Sequence, residues 1–387
     1  MALNRQRAFF DFPEVQHRVL WNGIWHLTGL LLVALALTQV WTARFVIQWC
    51  LQAMGVLTFI HIRLWINLNR FPLAPATPST GMTLGIANHI TLVRGWLISL
   101  LAGFLFLDFP ALDELWPLLP ALIYALTAGT DLVDGLWARL TQTKSRLGQQ
   151  MDTEMDALGI LIASFLAVWM GRIPLFYLLV GLSYYLFRGG IWYRAALNKS
   201  LSSLVFRPLA RILAGVHMVF LILVLSNIFT YEIIFLAAIV LAVPLLAGFV
   251  WDWWVVCDRL SPEKRQQMTS AAETFAFYGM PVIRVVLLIC GLMTVRLYDN
   301  LWPTSAVLLW LIVIACITVG WMGRTAALTA SFKAAVAAPT ADYPGMLAII
   351  LCAALAVMIF GTGFGSLWRP EDRFLVRRSD MVRGTEA

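Results

Sequence analysis

Long apolar runs follow one another almost from end to end of the 387-residue chain, separated by short polar connections. Uncharged or nearly uncharged stretches cover 21–41, 45–62, 90–107, 115–137, 151–170, 173–193, 212–229, 233–251, 277–295, 302–321 and 346–360. Each approaches the roughly 20 residues a helix needs to cross a bilayer. Only 13% of the residues are charged and 60% are hydrophobic, against about 25% charged in soluble domains. A soluble globular protein is excluded, and a polytopic all-α membrane helical bundle is expected.

The net charge of +7 suits cytoplasmic loops that set orientation better than it suits nucleic acid, because no basic block or recognition motif accompanies it. No nucleic-acid partner is expected. The five cysteines (Cys50, Cys257, Cys290, Cys316, Cys352) lie mostly inside apolar runs with no CxxC pair, and read as small core residues. His217, within a helical run, reads as packed rather than ligating. The N-terminal "MALNRQRAFFDFPEVQHRVL" carries acids before the first run and no small-residue cleavage site just after it, so the first span is expected to be retained.

The chain divides into a hairpin over 1–70, a block over 80–257, further helices over 272–365 and a basic tail over 366–387. The Pro-rich "NRFPLAPATPST" links the first two, and "CDRLSPEKRQQMTS" closes the second. Residues 324–339 decide whether there are eleven spans or twelve. Twelve puts both basic ends in the cytoplasm and is the expected count, with a re-entrant or surface helix as the alternative. Positive residues Lys144, Arg146, Lys199, Arg207, Arg211, Arg259, Lys264 and Arg265 then lie on the cytoplasmic side.

That side holds the most unusual stretch, "DLVDGLWARLTQTKSRLGQQMDTEMD", residues 131–156. Ionised carboxylates beside membrane spans cost several kcal/mol or thereabouts and are functional by default. Asp131, Asp134, Gly135, Ala138 and Arg139 share one helix face, and Asp152 and Asp156 stack one turn apart on the next helix. The short connection makes the two helices antiparallel, so four carboxylates are expected in one cluster. Such a cluster needs cations, and oxygen donors without His or Cys favour Mg²⁺ or Mn²⁺. Four acids could hold two ions about 4 Å apart, an arrangement used for displacement at phosphorus. Gly135 and Ala138 leave room for a ligand, while Arg139 and Gly148 sit where a phosphate or ribose could be held. Taken singly, these residues also suit helix caps, loop ion pairs or close helix packing.

The joint string D-x2-D-G-x2-A-R-x8-G-x3-D-x3-D is matched at all eight positions, a coincidence of about 10⁻¹⁰ per starting point. It resembles the signature of the CDP-alcohol phosphatidyltransferase family, over roughly 85–257, and "ANHITLVR" resembles the start of that family's first core helix. The resemblance implies a six-helix core with extra N- and C-terminal helices. It implies transfer of a substituted phosphate from a CDP-alcohol, with CDP-diacylglycerol the expected donor, to a polar alcohol with release of CMP. By resemblance Asp131, Asp134, Asp152 and Asp156 are metal ligands for two Mg²⁺ or Mn²⁺ ions, and Asp156 is also the general base. Gly135, Ala138, Arg139 and Gly148 would bind CDP, with Asn88 and Thr91 as further contacts or a helix cap. Arg94, Arg207 and Arg211 are candidates for binding the acceptor. A homodimer in the plasma or inner membrane, with its active site facing the cytoplasm, is expected on the same ground.

Three other readings stand beside this one: a CDP-linked head group passed to diacylglycerol, a divalent-cation pathway, and a scaffold without turnover. A pathway would spread its acids through the membrane rather than gather them at one end. The C-terminal pieces "WMGRTAALTA" and "MIFGTGFGSLWRPEDRF" loosely resemble a four-helix DoxX-type membrane module.

Overall fold

The computed structural model describes residues 12–70, 86–107, 118–140, 146–202, 208–227, 229–259, 270, 274–297, 304–337 and 344–367. Twelve α-helices and no strand form among the described residues, so the chain is an all-α membrane bundle. Five helices are long and apolar enough to cross a bilayer: Val19–Leu37, Ala43–Leu68, Leu175–Ala196, Ile234–Val256 and Phe277–Arg296. Four shorter apolar helices accompany them. Helices suit this composition because each satisfies its own backbone hydrogen bonds where no water is available.

One compact unit comprises Met1–Arg172 with Met218–Ile228. It contains α1 (Phe12–Leu37), α2 (Ala43–Arg70), α3 (Ile86–Ala102), α4 (Leu119–Leu140), α5 (Arg146–Trp169) and the second half of α7 (Pro208–Leu225). α3 is its central element. Gly95 lets α3 pass close to both neighbours, since a Cβ there would lie 3.1 Å from Ile60 of α2 and 3.1 Å from Met155 of α5. At the far end of α3 the Trp49 ring is buried and packs edge-on to Phe104. Trp169 Nε1 donates to the Leu107 carbonyl at 3.2 Å, fastening α5 to the same end. Large apolar side chains such as Trp25, Leu32 and Leu35 point outward from α1. An exposed apolar surface of that extent suits lipid rather than water.

The second unit comprises Ile173–His217 and Phe229–Ala387. Its described helices are α6 (Leu178–Ala196), the first half of α7, α8 (Tyr231–Val256), α9 (Met280–Leu297), α10 (Thr304–Val319), α11 (Gly323–Ala337) and α12 (Pro344–Phe360). His217 is fully buried, stacks on Tyr177, and its Nδ1 lies 2.7 Å from the Leu213 carbonyl. Arg284 of α9 is also buried. Its guanidinium donates to the carbonyls of Ile317, Thr318, Thr362 and Phe364, tying α9 to the end of α10 and to the segment after α12. That segment turns through Gly361, Gly363 and Gly365, all at positive φ, a conformation that glycine adopts without steric cost.

The expected twelfth span is a helix, α11, but a short one of 15 residues. At 1.5 Å per residue it reaches about 22 Å, short of a hydrocarbon core of about 30 Å. It is neither among the five long apolar helices nor among the four shorter ones. Its alanines 326, 327, 330 and 334 are buried, which makes it a close-packed helix of small residues.

Candidate active site

The acids stand where helix geometry places them. α4 ends at Leu140 and α5 begins at Arg146, and the connection between them lies outside the described residues. Asp131 comes from α4, and Asp152 and Asp156 come from α5. One carboxylate oxygen from each lies within 4.8 Å of the others. All three are half-buried.

Arg94 of α3 enters the middle of this cluster. Its Nη1 donates to Asp156 Oδ1 at 2.6 Å and lies 3.3 Å from Asp131 Oδ1, while Nη2 donates to Asp152 Oδ1 at 2.8 Å. The residue is 1% exposed. One positive charge thus faces three negative ones, and the described set keeps a net negative charge. Three converging carboxylates with no His or Cys among the described ligands fit a hard divalent cation, and Arg94 offsets part of their mutual repulsion.

Beside the acids is a small cavity lined by Arg94, Asp131 and Asp156, and on its other walls by Tyr124, Thr127, Gly159 and Met218. None of those four was singled out from sequence. Thr127 and Gly159 could have been found as small residues one turn from Asp131 and Asp156 on the same helices. Met218 lies too far along the chain for any local signal. Thr91, one turn before Arg94, is buried and lines a second small cavity with Leu64, Leu147 and Met151. Gly148 is half-buried in the first turns of α5.

Asn88, Asp134, Gly135, Ala138, Arg139 and Arg211 are placed in helices, but their side chains lie outside the described residues, as does Arg207 altogether. Asp134 and Gly135 follow Asp131 by one turn along α4, Ala138 and Arg139 by two, and Arg211 lies in the first turn or so of α7.

α5 carries a third acid that sequence reasoning passed over. Glu154 lies two residues from each of Asp152 and Asp156, about 160° round the helix from both, so it faces away from the cluster. It is buried and meets Arg63 of α2, whose Nε donates to Oε2 at 3.0 Å and Nη2 to Oε1 at 2.5 Å. The hairpin span expected at 45–62 stops just short of Arg63, whereas the helix runs on to Arg70 and brings this charge inside.

Residues 84–255 match the model of the CDP-alcohol phosphatidyltransferase family. The chain carries a CDP-alcohol phosphatidyltransferase region. It is accordingly an integral membrane enzyme, a transferase of substituted phosphate groups acting on a CDP-alcohol. The matched residues run from just before α3 to the end of α8, and α1, α2 and α9–α12 lie outside them. No curated protein and no solved structure matches the chain.

Proposed function

We propose that the enzyme transfers a phosphatidyl group from CDP-diacylglycerol to a small polar alcohol, releasing CMP on the cytoplasmic side of the membrane. What supports the reading most is the convergence of Asp131, Asp152 and Asp156 from two helices, with oxygens within 4.8 Å, inside the family-matched segment.

Asp131, Asp134, Asp152 and Asp156 would hold two Mg²⁺ or Mn²⁺ ions, which supply charge neutralisation at the pyrophosphate and at the departing CMP. Arg94 donates to Oδ1 of Asp156 and of Asp152, which orients both carboxyl groups. We assign it the role of an internal countercharge that keeps the acids together, in place of the acceptor contact expected from sequence. Asp156 takes the proton from the acceptor hydroxyl. The acceptor oxygen then bonds to the lipid-bearing phosphorus as the pyrophosphate P–O bond breaks, and the electron pair of that bond leaves with CMP. By the family resemblance Gly135, Ala138 and Gly148 would leave room for the nucleotide, and Asn88, Thr91 and Arg139 would contact it. Arg207 and Arg211 would hold a phosphate on the acceptor, if it carries one.

The reading is tested by supplying purified enzyme with CDP-diacylglycerol and Mg²⁺ and following CMP release with serine, glycerol phosphate, inositol phosphate or inositol. Release with one acceptor identifies it. Release only when CDP-linked head group and diacylglycerol are supplied would instead favour the exchanged roles of donor and acceptor.

A further inference from the structure

We infer that the N-terminal hairpin, which lies outside the family-matched residues, sets the rotation of the catalytic helix α5 through a fork between Arg63 and Glu154. The inference rests on the assignment of Asp152 and Asp156 to the reaction. Glu154 is 6% exposed, and both its oxygens are occupied. Oε1 accepts from Arg63 Nη2 at 2.5 Å and from Gln150 at 2.7 Å, while Oε2 accepts from Arg63 Nε at 3.0 Å and from Asn67 at 3.2 Å. Asn67 is itself 1% exposed and one turn beyond Arg63 on α2, and its amide also contacts Met151 Sδ at 3.3 Å. Two turns of α2 therefore grip one face of α5.

A bidentate guanidinium–carboxylate pair fixes direction as well as distance. Because Glu154 is opposite Asp152 and Asp156, any rotation of α5 about its axis swings the catalytic carboxylates by the same angle. At a side-chain radius of about 6 Å, a rotation of about 20° moves a carboxylate by roughly 2 Å. That is a large fraction of the 4.8 Å within which the three acids lie. Misplacements of about 1 Å at a reacting centre can cost about 100-fold in rate. Burying a charged pair is seldom a gain in stability by itself, since the cost of desolvation offsets the attraction. Orientation of α5 gives this pair a purpose that stability alone does not. Arg63 and Glu154 are thus positioning residues, acting through Asp152 and Asp156.

The test uses two forms of the full-length enzyme: Arg63→Lys, which keeps the charge and loses the fork, and the apolar pair Arg63→Met with Glu154→Leu. Mn²⁺ binding, read by the loss of its free paramagnetic signal, is measured with melting temperature and the split between kcat and KM. Both forms are expected to melt within a few degrees of the wild type, since an apolar replacement of a buried pair is often neutral. Both should nevertheless bind Mn²⁺ about 10-fold more weakly and lose kcat by a similar factor, with KM for the CDP-lipid little changed. Wild-type Mn²⁺ affinity in either folded form would overturn the positioning role. Mn²⁺ binding that survived Asp156→Asn in the otherwise native enzyme would overturn the assignment of the acids instead, and the positioning role with it.

Discussion

Replacing Arg94 by glutamine should make the stability of the fold depend strongly on divalent ions. Three carboxylates within 4.8 Å repel by about 3.5 kcal/mol per pair at an effective dielectric of about 20. Arg94, in contact with all three at 2.6–3.3 Å, attracts each by about 5–6 kcal/mol on the same scale. Attraction outweighs repulsion, and without the guanidinium roughly 10 kcal/mol of repulsion is left unopposed. The acids retain 18–33% side-chain exposure, so solvent and relaxation remove most of it, and about 2 kcal/mol is a reasonable remainder. In a chain of this size that lowers the melting temperature by roughly 2–3 °C. The assay is thermal unfolding in detergent, with chelator or with millimolar Mg²⁺. Arg94→Gln should melt early in chelator and recover most of the difference in Mg²⁺, while the wild type responds much less. Equal melting of the two proteins in chelator would refute the balance of charges argued here.

Two further outcomes concern the scaffold. Gly103→Val should destabilise the protein by about 1–3 kcal/mol through overpacking, because a Cβ there would lie 2.5 Å from Nε1 of the buried Trp49; a melting temperature equal to the wild type would contradict that packing. Arg284→Met should cost roughly 2–4 kcal/mol by leaving the carbonyls of Ile317, Thr318, Thr362 and Phe364 without their shared donor. Earlier proteolytic cleavage of the C-terminal helices would register it, and an unchanged cleavage pattern would count against it.

The helical class and the convergence of the acids were legible in the sequence because both depend on local periodicity. Offsets of three and four residues place Asp152 with Asp156, and a short connection brings Asp131 of α4 beside them. The partners of those acids were not legible. Arg94 is 58 and 62 residues from Asp152 and Asp156, and Arg63 is 91 residues from Glu154. Nothing local to either arginine names its carboxylate; the packing of α3 between α2 and α5 decides it. Arg63 was also hidden by its position, since a charge one residue past an apolar run reads as the end of a span, and here α2 continues through it. The length of the expected twelfth span was not legible either. Alanines make 324–337 apolar enough to suggest a crossing, yet the helix they form is short and buries its small side chains against its neighbours. For Asp134, Gly135, Ala138 and Arg139 the helix face follows from the register, while their side chains lie outside the described residues.

The central claim is that Asp131, Asp152 and Asp156 form the centre of a metal-dependent phosphatidyl transfer. The most direct measurement is CMP release from CDP-diacylglycerol by purified enzyme, with an alcohol acceptor present, in Mg²⁺ or in chelator, beside Asp156→Asn. The account predicts release that requires Mg²⁺ or Mn²⁺ and falls by about 10³-fold or more in Asp156→Asn, while that variant still folds and binds the CDP-lipid. Turnover at the wild-type rate in Asp156→Asn, or release undiminished by chelator, would contradict it.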